Sequence, residues 1–222
     1  MFHSPVLDEL GHRYGTDKRS GERGHDFLRK YEFFFRSRRD ATFTFLELGV
    51  YKGASLKMWA DYFPQANIIG VDNEPQALAR QGDRIKVILG DLAQMEFLTT
   101  LADLEPEIII DDASHWWPDQ LRALFALYPR LQSGGVYVME DIHTSFPPLD
   151  ELFKVRFAIP PFVILQKIAE YLTGDQEPCP ILTDKNLSPI SPSPILHEEI
   201  LYVAQETDAV VFLERACLLI KK

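Results

Sequence analysis

Cysteine is nearly absent from this 222-residue chain: Cys179 and Cys217 are the only two, too few for a disulfide framework. Also missing is any apolar run near the ~18 to 20 residues that a membrane-spanning helix needs. The opening "MFHSPVLDELGH" carries neither a basic n-region nor an apolar h-region. These absences lead us to expect a reducing, cytoplasmic setting and no membrane partner. Positive charge is scarce as well, with 23 lysines and arginines against 33 aspartates and glutamates and a net charge of −10. Such a chain repels polyphosphates, and it has no basic stripe interleaved with aromatics, so nucleic acid is not expected as a partner. No internal repeat is visible. What remains is a length and apolar content suited to one domain spanning 1–222, which can bury a core without staples.

The pattern that is present divides the chain by periodicity. Residues 1–40 read as an N-terminal helical layer: "SPVLDELGHRYG" opens on a Ser-Pro signal and stops at Gly15, and "GHDFLRKYEFFFRSRR" has an apolar face. From Thr42, short apolar runs ("FTFLEL", "NIIGV", "RIKVIL", "EIII", "GVYVM") alternate with the amphipathic segments "ASLKMWADYF", "QMEFLTTLADL" and "PDQLRALFALYPRL". That alternation predicts an α/β fold, a mostly parallel sheet with crossover helices on both faces. Residues 150–195 break the rhythm, with a helix expected in "FVILQKIAEYLTG" and a Pro- and Ser-rich loop in "NLSPISPSPI". This segment reads either as a lid or acceptor insertion or as an irregular packing segment. "EILYVAQETDAVVFLER" reads as two strands turning at Thr207-Asp208, a C-terminal antiparallel hairpin.

Ligands of open α/β sheets sit beyond the carboxyl ends of the strands. The first such end, "FLELGVYKGAS", supplies Glu47, Gly49, Gly53 and Ser55. A dinucleotide fingerprint would need glycine where Tyr51 stands, so a pyrophosphate fits poorly, whereas S-adenosylmethionine has an amino-acid tail and no phosphate. Glu47 has two readings, a ligand for the cofactor's amino group or an organiser of the glycine turn. Asp72 after the second strand suits the ribose hydroxyls, and Asp91 after the third suits the adenine amino group. Asp111 either contacts the cofactor or caps the next helix.

The fourth and fifth strands end in "IIIDDASH" and "VMEDIHTS". Adjacent parallel strands lie about 4.8 Å apart, so Asp112, Glu140 and Asp141 can meet at one point. Three carboxylates there repel one another unless a cation joins them, and oxygen ligands select a hard ion such as Mg²⁺, Mn²⁺ or Ca²⁺ over zinc. Such an ion acidifies a hydroxyl held next to it, and a neutral imidazole can take the proton. His115 is the expected base and His143 a weaker candidate that contacts the acceptor. Trp116 and Trp117 read as core aromatics rather than site walls.

With these residues in place, the segments "YGTDK", "LELGVYKGASLKMWADYFPQANIIGVD", "IIIDDASH" and "GGVYVMEDIHTS" resemble the class I S-adenosylmethionine-dependent methyltransferases. Within them the chain is similar to the metal-dependent sugar O-methyltransferases of macrolide and related glycoside biosynthesis, a group that includes cephalosporin-hydroxylase-like proteins. The resemblance implies a Rossmann-like, seven-stranded methyltransferase domain. It implies Mg²⁺ held at Asp112, Glu140 and Asp141, and His115 as base. The acid spacing is also similar to catechol-type O-methyltransferases. Ala113 stands where the family often has glycine, the chain is shorter than the macrolide enzymes, and the resemblance fades after Ser145. The expected activity is Mg²⁺-dependent O-methylation of a small hydroxylated acceptor, a sugar of a glycosylated natural product. The alternatives are a catechol or phenol acceptor and a non-catalytic adenosine-cofactor-binding protein. A homo-oligomer is compatible with either.

Overall fold

The computed structural model describes residues 6–154, 159–174 and 196–222. Residues 1–90 and 91–222 form two compact units. In the first, helix α1 (Val6–Tyr14) buries Leu7, Leu10 and Gly11, one face at helical spacing. Helix α2 (Leu28–Phe35) buries Leu28, Tyr31 and Phe35. Strands β1 (Thr44–Leu48), β2 (Asn67–Asp72) and β3 (Ile85–Leu89) run parallel in the order β3-β2-β1, and helix α3 (Ala54–Tyr62) links the first two. Helix α3 lies close on β2 because Gly70 has no side chain; a Cβ there would stand 2.7 Å from Leu56 and from Val50. Phe35, Phe45, Trp59 and Phe63 pack ring against ring beside it, with Phe45 and Trp59 centroids 4.9 Å apart.

The second unit contains helix α4 (Met95–Ala102), strand β4 (Ile108–Asp111), helix α5 (Trp117–Leu127), strand β5 (Val136–Met139), helices α6 (Asp150–Phe153), α7 (Pro161–Leu172) and α8 (Leu196–Gln205), and strands β6 (Thr207–Phe212) and β7 (Cys217–Lys221). The strand order is β4-β5-β7-β6, with β4 and β5 parallel and β7 antiparallel to both its neighbours. Every residue of β4 and β5 is buried, as parallel strands covered on both faces require. The register sets Asp111 beside Met139, so the ends of these strands, and the acids after them, lie level.

Seven strands, mostly parallel with a C-terminal antiparallel pair and with helices among them, form the expected Rossmann-like α/β fold. The hairpin is displaced, however. "EILYVAQ" is helix α8, and the two strands are β6 and β7, joined after Phe212. Ile200, Val203 and Ala204 are its buried residues, three and four apart, and the β-branched content of the segment concealed that helical period. "FVILQKIAEYLTG" is helix α7 as expected. The "NLSPISPSPI" loop and Cys179 lie outside the described residues. Among the described residues no helix is long and apolar enough to cross a membrane.

Candidate functional site

In the first unit, the turn after β1 is held by two carboxylates. Asp72 Oδ2 accepts the backbone N–H groups of Val50 (2.9 Å) and Tyr51 (3.1 Å), while Oδ1 accepts that of Glu74 (2.9 Å). About one of its roughly four lone-pair sites stays free. Gly49, Tyr51 and Gly53 all have positive φ (94°, 47° and 71°), and Tyr51 is 79% exposed. A side chain at Gly53 would meet Arg80 at 2.9 Å, so glycine is needed for space as well as conformation.

Glu47 is wholly buried beneath this turn. Ser55 Oγ donates to its Oε2 (2.8 Å) and Trp59 Nε1 to its Oε1 (3.3 Å), with Lys18 Nζ 3.8 Å from Oε1. These bonds tie the carboxylate to α3, which is what the organiser reading requires. They also commit the hydroxyl of Ser55. Lys18 is itself buried, and its carbonyl accepts the N–H groups of Phe27 and Leu28. Sequence reasoning assigned it no role. Its only signal was its place in "YGTDK", since a lysine distant in sequence announces no partner.

In the second unit, Glu140 N donates to Asp111 O (3.0 Å), and the Gln120 amide donates to Glu140 O (2.9 Å), which ties α5 to the end of β5. Asp112, His115 and Asp141 each offer one ligand atom within 4.8 Å of the others. His115 Nε2 lies 3.2 Å from Asp141 Oδ2 and 3.9 Å from Asp112 Oδ1, and His143 Nδ1 lies 3.5 Å from Asp141 Oδ1. Glu140 is buried next to this group but is not one of the three. The backbone is strained at both centres: His115 and Asp141 each have φ of 55°, a conformation that costs non-glycine residues about 1–2 kcal/mol. Ser114 steadies the first, donating to Asp119 (2.9 Å) and accepting the Trp116 N–H (3.3 Å).

Asp141 Oδ1 is buried and has no hydrogen-bond partner among the described residues. A buried carboxylate oxygen in that state is costly. With a second carboxylate and an imidazole within 4.8 Å, the donors fit a small divalent cation.

Asp111 is buried, and burial pushes its carboxyl up to about 7, opposed by the hydroxyl of Tyr137, which donates to Oδ2 at 3.1 Å. It does not cap α5, whose N-cap is Trp116. Asp91 is exposed and accepts the Ala93 N–H (2.9 Å), shaping the turn into α4. The tryptophans separate: Trp117 is buried as expected, whereas Trp116 is 52% exposed, contrary to the core reading, because it precedes the first turn of α5 instead of lying on its inner face.

Residues 46–142 match the family described as a methyltransferase domain. Over 153 residues the chain is 36% identical to the 8-demethyl-8-alpha-L-rhamnosyl tetracenomycin-C 2'-O-methyltransferase of Streptomyces olivaceus, covering 65% of this chain and 39% of that protein. It is 37% identical to the mycinamicin VI 2''-O-methyltransferase of Micromonospora griseorubida, covering 65% and 38%. The solved MycE methyltransferase, in complex with Mg, SAH and mycinamycin VI, superposes with a TM-score of 0.76 at 25% identity, covering 99% of this chain and 55% of that one. The chain thus spans about two fifths of these relatives' length.

Proposed function

We infer that this chain, whose residues 46–142 match the methyltransferase domain, is a cytoplasmic, Mg²⁺-dependent S-adenosylmethionine O-methyltransferase. Its acceptor is a small hydroxylated molecule, a sugar of a glycosylated natural product. The observation that carries the reading is the gathering of Asp112, His115 and Asp141 donors within 4.8 Å, with a buried oxygen on Asp141 that accepts no hydrogen bond among the described residues. The similarity to an enzyme named as the 2'-O-methyltransferase of a rhamnosyl tetracenomycin supports the acceptor class.

Asp112, Asp141 and the adjacent Glu140 would hold Mg²⁺, or Mn²⁺. When bound, the ion neutralises the carboxylates and acidifies a nearby hydroxyl. His115 would take the proton of the acceptor hydroxyl, and bound S-adenosylmethionine would supply the methyl group to that oxygen and be released as S-adenosylhomocysteine. His143 contacts the acceptor. Gly49 and Gly53 present bare backbone to the cofactor's amino-acid tail, Glu47 and Ser55 hold that turn in shape, and Asp72 accepts a ribose hydroxyl. Asp91 and Asp111 are the further candidates for cofactor contact. Holding the two reactants in line can supply roughly 7–11 kcal/mol of the barrier.

The test uses labelled S-adenosylmethionine with p-nitrophenyl α-L-rhamnoside, its aglycone and catechol, read by mass spectrometry. Methyl gain on the rhamnoside, abolished by chelator and restored by Mg²⁺, is the expected result. Full activity in excess chelator removes the metal role, and transfer to catechol alone reassigns the acceptor. His115→Ala should slow transfer by about 10²- to 10⁴-fold with cofactor affinity retained.

A further inference from the structure

The ring of Phe153, the last residue of α6, meets the imidazole of His115 edge-on, with centroids 6.2 Å apart and planes at 60°. A histidine that moves protons is ordinarily aimed by a hydrogen bond to its second ring nitrogen. His115 lacks that device: Nδ1 is buried and has no hydrogen-bond partner among the described residues. Its other nitrogen faces Asp141 and Asp112, the carboxylates that would turn towards a bound cation. The Phe153 contact also acts against a strained backbone, since the φ of 55° at His115 leaves its direction unsupported by any regular element.

We propose that Phe153 is the positioning residue of His115, holding the imidazole by ring packing where a hydrogen bond would otherwise do so. This rests on His115 being the base. Phe153 is half-buried at the end of a four-residue helix, so Phe153→Leu keeps apolar volume at a site with little core to disrupt.

The experiment compares wild type, Phe153→Leu, Phe153→Tyr and His115→Ala, all loaded with Mg²⁺ and S-adenosylhomocysteine. The first readout is the His115 ring-proton signal in histidine-labelled protein, identified by its loss in His115→Ala. In Phe153→Leu that signal should move and broaden, and in Phe153→Tyr, which retains a ring, it should stay near its wild-type position. The second readout is methylation of p-nitrophenyl α-L-rhamnoside, where Phe153→Leu should lower kcat by about tenfold and Phe153→Tyr should restore it. Acceptor KM and cofactor affinity should hold within about twofold. An unmoved His115 signal in Phe153→Leu overturns the contact itself. A moved signal with unchanged kcat overturns the catalytic role of Phe153 while leaving the methyltransferase reading standing. Unchanged turnover in His115→Ala sinks the base assignment, and the positioning proposal falls with it.

Discussion

Gly53 concentrates two constraints in one residue. Its φ of 71° is a left-handed conformation, and a Cβ would approach Arg80 to 2.9 Å. Gly53→Ala should therefore destabilise the chain by about 1–2 kcal/mol from conformation alone, with the clash adding to it, and should weaken S-adenosylhomocysteine binding. Urea midpoints and calorimetry measure both, and a variant as stable as wild type would show that the turn does not need glycine. Glu47 makes the converse point. Its position at a strand end was legible in "FLELG", but its burial with Ser55, Trp59 and Lys18 was not, because the ammonium arrives from a different part of the chain. Cys217 is buried, and burial pushes its thiol well up. In a Cys179→Ser background, a thiol reagent should modify it only on unfolding. Rapid labelling of the native protein would place Cys217 at the surface.

Helix α8 shows where pattern reading fails for an element. "EILYVAQ" is rich in residues favoured in strands, yet its apolar residues fall three and four apart and tertiary packing decides for the helix. The helix is joined to the segment after α5 through one polar chain: Tyr128 Oη and Thr207 Oγ1 lie 2.7 Å apart, and Thr207 donates to the carbonyl of Val203 at 2.6 Å. Burial pushes the Tyr128 hydroxyl from 10.0 up to about 12. The folded value exceeds the unfolded one, so this contribution is whole below pH 10 and is lost as pH rises through 12. Wild type should lose on the order of 2 kcal/mol more stability across that window than Tyr128→Phe. Parallel alkaline unfolding curves for the two proteins would remove Tyr128 from the account.

For the molecule as a whole, the acid cluster is an energetic liability that a cation would relieve. An ion bound only by the folded chain raises stability by about 2.7 kcal/mol at a hundredfold excess over its Kd. Mg²⁺ should raise the unfolding temperature of wild type and do so much less in Asp112→Asn and Asp141→Asn. An equal rise in all three proteins would assign the effect to general screening of the −10 net charge.

Alternating apolar runs and amphipathic segments determined the α/β class, five of the strands, and helices α1 to α5 and α7 in outline, because the buried face of an element is written into its own spacing. The acids and histidines at the ends of β4 and β5 were equally plain. Only the tertiary structure decided that Asp112, His115 and Asp141 form one group, that Lys18 reaches Glu47, and that Phe153 meets His115. Spacing states which side of an element is buried; which distant residue it is buried against depends on register and packing, which no local stretch of chain encodes.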